Sequence, residues 1–246
     1  MARSEKRVKK PFLTAEWRWL AMLNYEVPPE ILKPWIPRGV ELDPWQGKTL
    51  VSLVGFRFLN TRVMGLAIPG HRDFDEVNLR FYVRRKMADG WRRGVVFIRE
   101  LVPKPMIAAV ARIVYEEPYM AVRMHHKIEP QSGVPSLVEY GWTFRGEPCH
   151  LRVNTQGDLR ALRDGEKAEF ITEHYWGYTK RSNGLTSEYE VAHPRWRVME
   201  TCGSSFSAPV KELYGIEFQE ILAAEPVSTL LAEGSEVTVY QGGHLP

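Results

Sequence analysis

Cysteine is almost absent from this chain: Cys149 and Cys202 are the two in 246 residues. No close spacing joins them, so neither a disulfide framework of the secreted kind nor a CxxC zinc site is supported. Both thiols are expected to be reduced and partly buried in a cytoplasmic protein. Long apolar runs are missing too. No stretch approaches the roughly 18 residues of a membrane span, and no apolar region follows the N-terminal charges as a signal peptide would require. No membrane association is therefore expected. Glycine-rich phosphate loops are lacking, with neither GxGxxG nor GxxxxGK[ST] present, and there is no GxSxG elbow. Gly203-Ser204-Ser205 reads as a small-residue loop. The seven histidines form no HxxxH or HExxH pattern, and the adjacent His125 and His126 would face opposite sides of a strand. Neither a metal site nor a cofactor is expected. Charge of one sign is also scarce, with 33 Lys and Arg against 30 Asp and Glu for a net charge of +3. That balance disfavours nucleic acid as a partner.

What is present is the composition of a globular protein, 44% hydrophobic and 26% charged. Arg3, Lys6, Arg7, Lys9 and Lys10 crowd one end, which gives a basic, flexible arm over residues 1–11 and a single domain over 12–246. Most of that domain reads as short strands separated by turns. Glu76 to Arg85 carries the clearest alternation, with Val77, Leu79, Phe81 and Val83 on one face and Glu76, Asn78, Arg80, Tyr82 and Arg84 on the other. Asp89-Gly90 turns it into a return strand from Gly94 to Glu100, and Asn183-Gly184 marks a second hairpin. Helices are expected at Glu30–Lys33, Pro105–Tyr115, Gly165–Trp176 and Val210–Leu222, and two separate last strands at Val227–Leu231 and Glu236–Gln241. Strands that do not alternate with regular helices argue against a doubly wound parallel sheet. The fold class is mainly β (α+β), a closed or nearly closed antiparallel barrel with a few packed helices.

Two groups of residues carry chemistry. If the polar face of the Glu76–Arg85 strand turns into the barrel, Asn78, Arg80 and Tyr82 line a pocket for a small anionic molecule, and the Arg80 fork can take a carboxylate. If it turns outward it is a solvated sheet face, or, with Arg84, Arg85, Lys86, Arg92 and Arg93, a basic patch. The second group is Arg99-Glu100-Leu-Val-Pro-Lys104-Pro105. A lysine between a strand end and an apolar helix start can have its pKa lowered and act as an amine nucleophile, with Glu100 close enough in sequence to move a proton or pair with it. An exposed loop lysine is the plainer reading.

Phe12-Leu-Thr-Ala-Glu-Trp17, Asn24-Tyr-Glu-Val-Pro-Pro-Glu30, Val51-Ser-Leu-Val-Gly-Phe56, Asn78-Leu-Arg-Phe-Tyr-Val83 and Tyr189-Glu-Val-Ala-His-Pro-Arg-Trp196 resemble the uncharacterised YqjF-like bacterial proteins. The matches run in order from about residue 12 to about residue 240. The resemblance implies the fold of acetoacetate decarboxylase, a cone-shaped barrel with an internal pocket. In that enzyme a Gly-Arg-Glu strand runs into Pro-Lys-Lys, whose first lysine forms a Schiff base. Arg99-Glu100 and Pro103-Lys104 look similar, so the resemblance implies the nucleophile's role for Lys104, with Glu100 and Glu76 as acid–base groups. Pro105 stands where the second, pKa-lowering lysine would be. Three outcomes stay open: a lyase of the decarboxylase type, a non-catalytic ligand-binding module, and, more weakly, a nucleic-acid binder. A small molecule is the expected partner, and the eight tryptophans also allow a homo-oligomer.

Overall fold

The computed structural model describes residues 10–106, 108, 116–130 and 133–245. Its main element is one long sheet. The strands are β1 (Pro11–Glu26), β2 (Glu41–Leu42), β3 (Leu50–Val63), β4 (Phe74–Met87), β5 (Gly90–Val102), β6 (Tyr119–Ala121) and β7 (Arg123–Glu129). They continue with β8 (Leu137–Phe144), β9 (Glu147–Arg160), β10 (Trp176–Lys180), β11 (Thr186–Ala192), β12 (Val198–Ser207), β13 (Ser228–Tyr240) and β14 (Gly243–Leu245). Hydrogen bonding runs β11–β10–β5–β4–β3–β1–β13, and β13 pairs again with β11 at Val191↔Val239 and Ala192↔Thr238. The pairing therefore closes into a ring. From β13 the sheet continues through β12, β9, β8 and β7 as a second layer.

The ring is antiparallel except at one junction. β10 lies parallel to β5, with Trp176 opposite Gly94 and Gly177 opposite Val95. The chain between β5 and β10 makes a long excursion that includes β6 to β9, and an excursion of that length is what parallel pairing requires. Gly94 permits the contact, because a Cβ there would sit 2.5 Å from the Trp176 carbonyl oxygen.

Two cores follow from the two layers. Val77, Leu79, Phe81 and Val83 of β4 point outward and pack with Leu23, Leu53, Tyr140, Trp142 and Val153 between the ring and the second layer. Leu20, Met22, Phe56, Phe58, Phe74, Tyr82 and Val95 point into the ring. Burying each such side chain stabilises the fold by roughly 1.5–3 kcal/mol. Gly55 lets the second layer approach, since a Cβ there would meet the Tyr140 ring at 2.5 Å. The Tyr140 hydroxyl then donates to the Trp19 carbonyl at 2.8 Å.

Several sequence expectations needed revision. β13 is one strand, not two, because Gly234 takes φ of +80° and forms a bend against β1 without ending the pairing. Gly203–Ser205 lies within β12 and is not a loop. The helix expected from Gly165 is only Lys167–Thr172, and the one expected from Val210 breaks at Gly215, where φ is +113°. The helix expected over Pro105–Tyr115 falls mostly outside the described residues; Pro105, Met106 and Ala108 are helical, and the Ala108 N–H donates to the Lys104 carbonyl at 3.1 Å. Residues 1–9 of the basic arm also lie outside the described residues. No described helix is long and apolar enough to cross a membrane.

Candidate functional site

A cavity of about 370 Å³ lies inside the ring, and every ring strand lines it. Leu13 and Trp17 of β1, Phe56 and Phe58 of β3, Phe97 of β5, Val191 of β11 and Val239 of β13 form apolar walls. The polar lining is concentrated in Glu76, Asn78 and Arg80 of β4, Glu100 of β5, Glu117, Tyr119, His174 and Tyr189. The strand alternation seen in the sequence therefore turns its polar face inward and its apolar face beneath the second layer.

Strand bulges decide which residues reach this cavity. β4 and β5 pair Leu79 with Arg99 but Arg80 with Phe97, so Ile98 is an extra residue in β5. Phe97 faces the cavity, Ile98 joins the outer core, and Arg99 is drawn outward, where its Nε donates to the Leu213 carbonyl at 3.1 Å. Glu100 then returns to the cavity face. Strict alternation from Val95 and Phe97 would have pointed Glu100 outward. β1 behaves similarly: Trp19 takes φ of +54°, and this bulge lets both Trp17 and Leu20 line the cavity.

Three buried carboxyls converge here. Asn78 Nδ2 donates to Glu76 Oε1 at 2.9 Å, and the Tyr119 hydroxyl donates to Glu76 Oε2 at 3.3 Å. The Tyr189 hydroxyl donates to Glu117 Oε1 at 2.6 Å. β-pairing sets the placement: Asn78 lies opposite Glu100, and Glu100 lies beside Tyr119 of the parallel β6. Burial pushes the pKa of Glu76 up to about 7, helped by the nearby Glu117 charge and opposed by the bonds from Asn78 and Tyr119. Burial also raises Glu117 to about 7, against the bonds from Tyr189 and Thr179. Glu100 is driven well above the usual carboxyl range by burial and by Glu117 and Glu76. Carboxyls in this state can donate as well as accept protons near neutral pH. Asn78 Oδ1, Arg80 Nε and Glu100 Oε2 are buried without a hydrogen-bond partner among the described residues.

Sequence reasoning picked out Glu76, Asn78, Arg80 and Glu100, and the structure brings all four to this cavity. Tyr82 also points into the ring, but its hydroxyl contacts Ser52 Oγ at 2.5 Å and its ring packs on Phe170 and His174, so it supports the wall without lining the cavity. Lys104 follows the end of β5, half-buried, and is not among the described residues lining the cavity. Glu117 and Tyr119 were not singled out, Tyr189 entered only as the first residue of a family-like motif, and His174 entered only as one of the seven histidines without a metal-binding pattern. Glu117 and Tyr119 arrive with the parallel β6, and His174 and Tyr189 flank or lie on the β10–β11 hairpin, which reaches the cavity only because β10 docks in parallel on β5. The arginines of the suspected basic patch meet carboxylates: Arg84 binds Glu41, Arg85 and Arg92 bind Glu188, and Arg93 binds Asp43. Among the described residues no His, Cys, Asp or Glu cluster could hold a metal ion.

Residues 14–236 match the DUF2071 family of uncharacterized conserved proteins. The chain belongs to this family. The uncharacterized protein YqjF of Bacillus subtilis (strain 168) is 25% identical over 205 residues, covering 83% of this chain and 82% of YqjF. Among solved structures, acetoacetate decarboxylase from Legionella pneumophila is similar at a TM-score of 0.65 and 14% identity, over 100% of this chain and 92% of that one. The enduracididine biosynthesis enzyme MppR complexed with pyruvate is similar at 0.66 and 12%, over 99% and 93%. At such identities the likeness establishes the fold: this DUF2071 chain has the acetoacetate decarboxylase-like architecture, mostly β with short helices. The activities of those enzymes do not transfer with it.

Proposed function

We propose that the cavity binds a small anionic organic molecule non-covalently, with its carboxylate on Arg80 and its apolar part against the aromatic walls. Glu76, Glu100 and Glu117 then serve as protonated or proton-sharing groups beside the bound molecule. The observation that carries this reading is a set of buried polar atoms without a hydrogen-bond partner among the described residues, Asn78 Oδ1, Arg80 Nε and Glu100 Oε2, on residues that line a largely apolar cavity. A mostly apolar cavity with a few convergent polar groups of shifted pKa is the usual form of a small-molecule site. Apolar cavities of about 150 Å³ hold benzene, so about 370 Å³ leaves room for a ring with a carboxylate-bearing substituent. Glu100, kept protonated by burial, does not repel an incoming anion, and Glu76 and Glu117, raised to about 7, carry only part of their charge near neutral pH.

A non-catalytic ligand-binding module and an enzyme that moves protons through these glutamates would share this pocket, and turnover of a bound ligand separates the two. Schiff-base lyase chemistry through Lys104, as the decarboxylase resemblance implies, is the less supported reading because Lys104 does not line the cavity. Calorimetric titration with benzoate and phenylacetate, and with uncharged benzyl alcohol as control, tests the proposal. Arg80→Met is expected to weaken the two carboxylates at least about tenfold, a single charge-assisted pairing, and to spare benzyl alcohol. Equal affinity for all three probes in both proteins would overturn it.

A further inference from the structure

His174 carries a second polar feature of the same cavity. It follows the helix Lys167–Thr172 and lines the cavity, and its Nε2 lies 3.3 Å from Asp43 Oδ2. Asp43 is itself fixed by Arg93, whose Nε approaches Oδ2 to 2.6 Å, and by Arg84, whose Nη1 lies 3.8 Å from Oδ1. Burial alone would raise the Asp43 pKa, but the bonds from His174 and Arg93 outweigh it and hold the carboxyl ionised. An ionised carboxylate can only accept. The hydrogen on the His174 ring therefore sits on Nε2, and Nδ1 is a bare acceptor.

Nδ1 is buried and has no hydrogen-bond partner among the described residues. The imidazole cannot easily turn to hide it, because the Tyr82 ring lies 4.6 Å from it and the Phe170 ring 5.1 Å. Arg80 stands on the same wall. Its Cζ is 5.9 Å from the Tyr82 ring centre, its Nη2 donates to the Ile171 carbonyl at 3.4 Å, and its Nε has no partner among the described residues. A cationic side chain and a neutral acceptor thus both pack against the Tyr82 ring on residues that line the cavity. A buried acceptor left unpaired is unfavourable, so a ligand that supplies the missing donor gains over one that does not.

We infer that His174 is a specificity-determining residue, whose Nδ1 accepts a hydrogen bond from a hydroxyl next to the carboxylate that Arg80 holds. The cavity then prefers hydroxy acids, or enols, to acids that lack the hydroxyl. It also prefers them to acids with an oxo group in its place, because an oxo oxygen would set lone pair against lone pair. This rests on the carboxylate reading proposed above.

The test compares mandelate, phenylacetate and phenylglyoxylate, which differ only at the carbon beside the carboxylate, by calorimetric titration of the full chain and of His174→Phe. The native protein is expected to bind mandelate about tenfold more tightly than either of the others, the worth of one hydrogen bond. In His174→Phe the ratio is expected to fall below about threefold. Nitrogen-15 NMR of the native protein gives an independent readout should the variant fail to fold: His174 Nδ1 is expected to show the shift of an unprotonated nitrogen and to move on adding mandelate but not phenylacetate. Equal affinity for the three acids, or a proton on Nδ1, overturns the hydroxyl site and leaves the carboxylate pocket standing. Failure of all three to bind overturns both.

Discussion

Replacing Glu76 by Gln should make the protein more stable at alkaline pH and change little at acid pH. Glu76 is buried, and its pKa in the fold is raised from 4.5 to about 7. A carboxyl with a raised folded pKa favours the folded state below the unfolded value, and loses that advantage as pH climbs through the folded value. The window here is about pH 4.5 to 7, and a rise of that size corresponds to on the order of 3 kcal/mol. Gln is already neutral, keeps an oxygen for the Asn78 amide, and removes one charge from beside Glu100 and Glu117. His174 and His193 act in the opposite sense: burial lowers both to about 4, so each stabilises the fold above about pH 6.5 and loses that contribution as pH falls toward 4. The difference between variant and native protein cancels them. Urea unfolding followed by tryptophan fluorescence, repeated from pH 5 to 8.5, should show the two proteins close at pH 5. They should diverge by on the order of 3 kcal/mol at pH 8.5, with the variant the more stable. A difference that stays constant with pH, or a variant less stable at pH 8.5, would refute the assignment of a raised pKa to this carboxyl.

Gly177→Ala should cost about 1–3 kcal/mol of stability by thermal melting, because a Cβ there would collide with the Tyr189 ring whose hydroxyl holds Glu117; a neutral result would mean that the ring has room to move. Tyr140→Phe should lose about 1 kcal/mol and lower Tm by about 2–4 °C, since the Trp19 carbonyl loses its donor at the β1 bulge. Borohydride reduction with acetoacetate or pyruvate should leave the intact mass unchanged, and an adduct mapped to Lys104 would restore the Schiff-base reading.

The sequence alone determined the local periodicities. Alternation from Glu76 to Arg85 specifies a strand with one apolar and one polar face, because successive side chains point to opposite sides of a pleat. Turn chemistry at Asp89-Gly90 and Asn183-Gly184 specified two hairpins, because few residues adopt the backbone angles such turns need. That information reached Glu76, Asn78 and Arg80. It could not say which face would be interior. Only the closure of β13 onto β11, with a second layer over the outer side, buried the apolar face outside the ring and the polar face within it. Bulges were equally invisible, because one inserted residue such as Ile98 reverses the parity of all that follows, and it is this reversal that brings Glu100 inward. Glu117 and Tyr119 form one segment and His174 and Tyr189 flank or lie on one hairpin, and no local pattern relates either pair to the β4 residues they meet. Their meeting is a property of long-range pairing, which a strand's own residues do not encode and which only the closed tertiary structure decides.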